Sequence, residues 1–332
     1  MTGSDRRIRV LALGGTIAMA ATGARGGVVP VLDADALVAA VPGLPTLGHI
    51  EAESFARVPG AHLGLADLVR LSRRIADAIK DGVDGVVVTQ GTDTIEESAM
   101  ALDLLLDVDH PVVVTGAMRD PAQPGADGPA NLRNAVLIAA SDKARGLGVL
   151  VTMNDEIHAA RFVRKAHTSR PSAFTSASAG VLGWTAEERV RIPLRPTRRV
   201  HVDLSDAREP AAVAAVTATL GDDGRLVRLL PDLGYEGVVV SGFGVGHVPA
   251  RMVDDLTAVA REVPVVLASR AGAGETFSGT YGFPGSERDL LANGVIPAGA
   301  LTPPQARVLL SLALSAGWPA ARIAEAYDVL SG

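Results

Sequence analysis

A short run of valines that ends in polar residues is the feature that most constrains the fold of this chain. Residues 86–88 are all valine, and the segment 89–94, Thr-Gln-Gly-Thr-Asp-Thr, follows them directly. The β-branched run predicts a buried strand, and residues 94–106 have the pattern of a helix. Open α/β sheets bind ligands beyond the carboxyl ends of their strands. The stretch therefore predicts a candidate binding site at a strand end.

The acids of this stretch also have the spacing of helix caps. Asp93 with Glu96, and Thr94 with Glu97, match a capping box, in which side chains satisfy free backbone N–H groups of the first helical turn. On this stretch alone, a capping role and a functional role explain Asp93 about equally well.

A second strand end of the same kind lies near the N terminus. Residues 8–13 predict a buried strand, and Gly14, Gly15 and Thr16 turn out of it. The turn lacks the third glycine of a dinucleotide-binding fingerprint and the Gly-Lys-Ser/Thr of a phosphate-binding loop. Residues 20–29 are small and rich in glycine, which predicts a mobile loop over Thr16.

Strand and helix patterns alternate along the chain, and 332 residues exceed what one core usually holds. Proline and arginine are frequent at 191–199, as expected of a linker. We therefore predict two α/β domains. The larger N-terminal domain (residues 1–190) has a mainly parallel sheet flanked by helices, the linker is 191–212, and 213–332 form a smaller C-terminal α/β domain.

Composition narrows the possible functions. A net charge of −6, the absence of a long basic run and only 3% aromatic residues argue against nucleic acid and favour a small-molecule substrate. The lack of cysteine excludes thiol nucleophiles, disulfides and thiolate metal sites, and the seven histidines are scattered, so we expect no metal site. No apolar segment is long enough for a signal peptide core or a membrane span, which predicts a cytoplasmic protein.

No Gly-x-Ser-x-Gly nucleophile elbow is present, so serine-hydrolase chemistry is not expected. The remaining possibility is acyl transfer by a threonine nucleophile that an acid and a lysine assist. A threonine hydroxyl needs a neighbouring base to act as a nucleophile, and a desolvated lysine paired with a carboxylate can supply one. Thr92, Asp93 and Lys165 provide these groups. For Lys165, which lies in a basic segment, a solvated surface charge is the ordinary alternative.

Two motifs resemble the signatures of bacterial-type L-asparaginases. Residues 13–18, Leu-Gly-Gly-Thr-Ile-Ala, resemble the first signature, and residues 89–97, Thr-Gln-Gly-Thr-Asp-Thr-Ile-Glu-Glu, resemble the second. Supporting matches cover nearly the whole chain: residues 116–119, 126–132, 153–155, 165 with 168, and 301–307.

The resemblance implies hydrolysis of L-asparagine to L-aspartate and ammonia without a cofactor or a metal. Thr16 would attack the side-chain amide and form an acyl-enzyme, with Thr92 as the alternative nucleophile. Thr92, Asp93 and Lys165 would form a supporting triad that moves protons. Asp93 would also bind the substrate α-ammonium, and backbone groups around Thr92 and Ala117 would polarise the amide carbonyl.

The chain departs from the family pattern at two places. Residues 22–30 contain no tyrosine where family members usually carry one after the first threonine. Gly60 and Ala61 stand where the family has a serine and a polar residue, so backbone N–H groups would have to bind the α-carboxylate.

Glu287 aligns with an acid that family members donate to a neighbouring subunit's site. The resemblance therefore implies a homo-oligomer, at least a dimer and in the family a homotetramer. Three other functions stay open: a glutaminase, an amidase for another small amide, and a non-catalytic amino-acid-binding regulator. The missing glycine fingerprint disfavours an NAD-dependent dehydrogenase.

Overall fold

A computed structural model describes residues 5–22, 27–30, 33–196, 199–204 and 209–331 of the chain. Its contacts divide the protein into two compact units, Met1–Thr197 and Arg198–Gly332.

The first unit is built on an eight-stranded sheet in the order β12-β11-β8-β7-β6-β5-β1-β4. Strands β4, β1, β5, β6 and β7 are parallel, whereas β8, β11 and β12 extend the sheet in antiparallel pairs. Two short antiparallel ribbons, β2-β3 and β9-β10, lie outside this sheet. The strands are β1 (Arg7–Ala12), β2 (Met19–Thr22), β3 (Gly27–Pro30), β4 (His49–Ser54), β5 (Gly85–Thr89), β6 (Val112–Thr115), β7 (Val149–Met153), β8 (Glu156–Ala159), β9 (Arg164–Lys165), β10 (Phe174–Thr175), β11 (Gly183–Ala186) and β12 (Arg189–Arg191).

Helices cover both faces of the parallel strands. They are α1 (Ala34–Ala39), α2 (Leu65–Lys80), α3 (Ile95–Leu105) and α4 (Gly128–Ala139). Val87 and Val113 belong to the core cluster formed with residues of α1 and α4. Alternate residues of a strand point to opposite faces, so Val86 and Val88 lie on the side of α2 and α3. All five residues of β5 are buried, as expected for a central parallel strand.

The second unit is a smaller α/β layer with a parallel sheet in the order β13-β14-β15-β16. Its elements are β13 (Val213–Thr217), α5 (Arg225–Arg228), β14 (Gly237–Gly242), α6 (Val253–Ala260), β15 (Val265–Ser269), α7 (Glu287–Ala292), β16 (Ile296–Pro297), α8 (Pro303–Ser315) and α9 (Ala320–Ser331). Thr302 and Gln305 form a capping box at the start of α8. The predicted fold class, two α/β domains of unequal size, is confirmed.

The segment 20–29, predicted as a mobile loop, contains regular strand pairing in the part that the structure describes. Residues 19–22 and 27–30 pair as the antiparallel ribbon β2-β3, with Met19 opposite Pro30, and residues 23–26 lie outside the described part of the chain. The composition carries no strand signal because glycine and alanine are both depleted in strands, whereas pairing between the two segments defines this ribbon. Among the described residues, no helix is both long enough and apolar enough to cross a membrane.

Candidate active site

The two strand ends singled out in the sequence are neighbours in the sheet. β1 and β5 are parallel, with Ala12 opposite Thr89. From β1 the chain first adds β4 on one side and then returns to add β5 on the other, so the connections leave in opposite directions. A crevice at such a reversal of strand order is where doubly wound sheets bind ligands.

Three glycines bring the segments that follow these strands into direct backbone contact. A Cβ on Gly15 would lie 2.1 Å from the backbone N of Gly91, and a Cβ on Gly91 would lie 2.6 Å from the backbone N of Gly60. Both distances are far below van der Waals contact, so only glycine fits at these positions. The contact places Thr16, Thr92 and the 60–61 turn around one point.

Lys165 joins the second strand end from a distant part of the chain. Its Nζ lies 2.9 Å from Thr92 Oγ1 and 2.7 Å from Asp93 Oδ1. The Lys165 side chain is only 17% exposed, whereas the Asp93 side chain is 68% exposed. The lysine is therefore not a solvated surface charge, and Asp93 presents its carboxylate to solvent at the mouth of the crevice.

The capping interpretation of this stretch is wrong. Thr94 is the N-cap residue of α3, but its side chain makes no capping bond; its Oγ1 donates to the Gly60 carbonyl at 3.0 Å. Glu96 Oε2 accepts the backbone N–H of Lys165 at 3.0 Å. The side chains of Asp93 and Glu96 thus both bond to Lys165, because a partner distant in sequence competes with the local backbone for their oxygens.

The segment that carries Ala117 is held by a hydrogen-bonded network of motif residues. Asp127 accepts the backbone N–H of residues 118 and 119 at about 3.0 Å. Asn131 donates to the Gly116 carbonyl at 3.0 Å and to Asp127, and it accepts from the backbone N of Asn154. This network keeps Gly116 against Gln90 and Thr92, where a Cβ on Gly116 would lie 2.7 Å from the Gln90 carbonyl oxygen.

The remaining site residues of the first unit surround the same crevice. Thr16 is partly buried at the start of a single 3₁₀ turn, Thr16–Ala18. Gly60 is buried in the turn Gly60–His62, and Ala61 beside it is exposed. Ala117 is almost fully buried. The hydrogen bonds of the Lys165 amine lead to Thr92 and Asp93, not to Thr16.

Glu287 lies in the second unit at the first residue of α7 and is fully buried. Its Oε1 accepts the backbone N–H groups of Thr280 and Tyr281 at 2.9 and 2.7 Å, and its Oε2 lies 3.3 Å from His247 Nε2. Burial by itself favours the neutral acid, but these N–H donors outweigh it and lower the pKa of Glu287. Within its own unit the carboxylate therefore anchors the 280–281 backbone.

Sequence reasoning did not assign Glu96 and Gly91 to the site. The sequence pattern explains Glu96 as a cap, although it lies only four residues after Thr92 in the same segment. The sequence shows Gly91 only as part of a motif, because no neighbouring residue indicates which distant backbone segment it contacts. Within the described ranges, no group of three or more His, Cys, Asp or Glu side chains is placed to hold a metal ion.

Comparison with known proteins assigns the family. Residues 7–198 match the N-terminal asparaginase family model, and residues 212–327 match the glutaminase/asparaginase C-terminal domain. An L-asparaginase from Bacillus licheniformis is 34% identical over 94% of this chain and 96% of its own length. L-asparaginase 2 from Bacillus subtilis is 36% identical over 93% of this chain and 82% of its own.

A solved structure gives the same assignment. The crystal structure of a probable cytoplasmic L-asparaginase from Campylobacter jejuni has a TM-score of 0.90 and 34% sequence identity, and the match covers 98% of this chain and all of that one. Together with the two family models, which match most of the sequence, this likeness leads to one conclusion: the chain belongs to the bacterial-type L-asparaginase family.

Proposed function

We propose that this protein is an L-asparaginase that hydrolyses the side-chain amide of L-asparagine to L-aspartate and ammonia. The observation that carries the proposal is the bridge from Lys165 Nζ to Thr92 Oγ1 and Asp93 Oδ1 at the crevice. A threonine, a lysine and a carboxylate in hydrogen-bond contact form a relay that can move the protons of amide hydrolysis.

In the first half of the proposed reaction, Thr16 Oγ1 attacks the carbon of the side-chain amide. The hydroxyl proton passes to a base, and the backbone around Thr92 and Ala117 stabilises the negative oxygen of the tetrahedral intermediate. The C–N bond then breaks, the nitrogen gains a proton and leaves as ammonia, and a β-aspartyl ester on Thr16 remains.

In the second half, water attacks the ester carbon and the bond to Thr16 breaks. The Thr92–Lys165 pair takes the proton of that water, and the Thr16 oxygen recovers a proton as L-aspartate leaves. Thr92 stays the alternative first nucleophile, because its hydroxyl is the one that the Lys165 amine contacts. Neither half requires a cofactor.

The proposed substrate contacts follow from exposure and charge. The solvent-facing carboxylate of Asp93 binds the α-ammonium, and the backbone N–H groups of Gly60 and Ala61 bind the α-carboxylate. The proposed active form is a homo-oligomer, a dimer or a tetramer, as the family resemblance implies. The Glu287 carboxylate is fully buried against the 280–281 backbone of its own unit, so we do not propose that it touches the substrate of a neighbouring subunit. We also propose a cytoplasmic location, in line with the name of the Campylobacter jejuni relative.

Ammonia release from a panel of amides tests the proposal. We expect turnover of L-asparagine at a higher kcat/KM than that of L-glutamine or D-asparagine. A preference for L-glutamine would make the protein a glutaminase. This alternative has a structural reason, because Ala61 offers no polar side chain to fix the substrate carboxylate. Absence of ammonia from every amide, together with thermal stabilisation by L-aspartate, would identify a binding protein and overturn the enzymatic proposal.

A further inference from the structure

The Lys165 residue is bonded through its main chain as well as its side chain. Its amine contacts Thr92 and Asp93, and its backbone N–H donates to Glu96 Oε2 at 3.0 Å. All three partners lie in the continuous segment 92–96, which passes from a 3₁₀ turn into the first turn of α3. The side chain and the backbone of one lysine are thus bonded to the same short segment.

The strand that carries Lys165 lies outside the eight-stranded sheet. β9 is two residues long and pairs only with β10, where Lys165 lies opposite Phe174. The Ala166 backbone N–H donates to Ala173 at 2.7 Å, and beyond β10 the Ser176 hydroxyl bonds His158 Nδ1 at 2.9 Å. The buried Phe174 side chain and the side-chain bonds of Glu96 and His158 together hold the ribbon in place.

A lysine side chain has four rotatable bonds and loses rotamer entropy when it is fixed. The position of the amine depends on the position of the Lys165 backbone, and a displacement of about 1 Å at a reacting group can reduce turnover about 100-fold. Glu96 restrains the Lys165 backbone by accepting its N–H. Burial raises the pKa of Glu96, and the Lys165 N–H opposes this by favouring the carboxylate.

We propose that Glu96 is a positioning residue that holds the Lys165 backbone so that the amine reaches Thr92 and Asp93. Glu96 makes no bond to either of the two threonine nucleophile candidates, so it acts on the reaction through Lys165. The inference rests on the proposed function, because it assigns Glu96 to the proton relay of asparagine hydrolysis.

Two substitutions separate positioning from charge. Glu96→Ala removes the acceptor, and we expect kcat for L-asparagine to fall about 10- to 100-fold while KM changes less than about twofold. Glu96→Gln keeps an oxygen that accepts the Lys165 N–H, so we expect kcat within about threefold of the wild type and an unchanged pH profile. Equal damage by both variants would assign the effect to the charge and overturn the positioning role.

Asp103 provides a matched control on the same helix. Its Oδ1 accepts the backbone N–H of Val149 in β7 at 2.7 Å, so it too joins α3 to a strand through a carboxylate, but to a strand other than the one that carries Lys165. We expect Asp103→Ala to lower the thermal midpoint while kcat stays within about twofold of the wild type, and Glu96→Ala to lower kcat with a smaller change in the thermal midpoint. A parallel loss of stability and kcat in both variants would indicate a merely structural role for Glu96.

A double-mutant cycle tests whether Glu96 acts through Lys165. In a Lys165→Met background, whose residual ammonia release is measured at high enzyme concentration, Glu96→Ala should lower kcat less than about twofold further. A further loss as large as that in the wild-type background would refute the inference. If the wild type itself releases no ammonia from asparagine, the proposed function fails; if it is active and Glu96→Ala matches it, only the positioning role fails.

Discussion

Acidification should destabilise the first unit through one buried histidine. His158 lies in β8 with no exposed surface, and its Nδ1 bonds the Ser176 hydroxyl at 2.9 Å. The Glu156 carboxylate lies 3.5 Å from its Nε2 but is 45% exposed, too solvated to offset the cost of burying an imidazolium. Burial lowers the pKa of His158 from 6.5 to about 4.

The sign and size of the effect follow from this pKa difference. Below pH 6.5 His158 becomes protonated in the unfolded chain, but in the native state it becomes protonated only near pH 4. The contribution of the neutral His158 to stability is therefore complete above pH 6.5 and is lost as the pH falls toward 4. At about 1.4 kcal/mol per pKa unit, the loss reaches about 3.5 kcal/mol in the limit and about 2.5 kcal/mol at pH 4.5.

Urea unfolding followed by circular dichroism measures this loss at pH 7.5 and at pH 4.5. The wild type should lose about 2.5 kcal/mol more of its free energy of unfolding over this interval than His158→Gln, which has no titrating side chain at this position. Carboxylates that titrate in both proteins cancel in the difference. Equal losses in the two proteins would show that the native His158 titrates like an exposed histidine and would refute the reasoning.

Two further predictions concern close packing and a buried acid. Gly91→Ala would place a Cβ 2.6 Å from the Gly60 backbone N, so we expect a loss of about 1–3 kcal/mol in stability by calorimetry and a fall in ammonia release. Gly279→Ala is the control: the space around its Cβ is open, so the thermal midpoint should stay unchanged. An unchanged midpoint in Gly91→Ala would contradict the glycine contact. Glu287→Ala removes the acceptor of two part-buried backbone N–H groups at residues 280–281, so we expect a loss of about 1–3 kcal/mol in stability at neutral pH. The loss should shrink as the pH falls below 4.5, because the lowered pKa of Glu287 means that the ionised carboxylate is the stabilising form. Equal stability of this variant and the wild type at neutral pH would rule out the anchoring role.

Elements with a strong hydrophobic period could be predicted from the sequence. Leu68, Leu71 and Ile75 recur at helical spacing, which predicts a helix over residues 65–80, and α2 has those bounds because these buried residues form the face that packs on the sheet. The strand at Gly85–Thr89 is likewise as predicted, since a fully buried parallel strand is a continuous β-branched run.

Features set by distant partners could not be predicted in this way. The strands β8 to β12 are two to four residues long and carry no readable period, and pairing across the sheet or ribbon defines them. Capping was the local explanation for Glu96, but its carboxylate bonds a backbone N–H 69 positions along the chain. The contact of Gly15, Gly60 and Gly91 is non-local for the same reason.

Turnover of L-asparagine by variants of the two threonines tests the central claim most directly. Ammonia release should be measured for the wild type, Thr16→Ala and Thr92→Ala, with circular dichroism and the thermal midpoint as checks of the fold. The account predicts that the wild type is active and that each variant retains the fold but loses at least about 100-fold in kcat. Near-normal turnover in either folded variant would remove that threonine from the mechanism and contradict the divided threonine site.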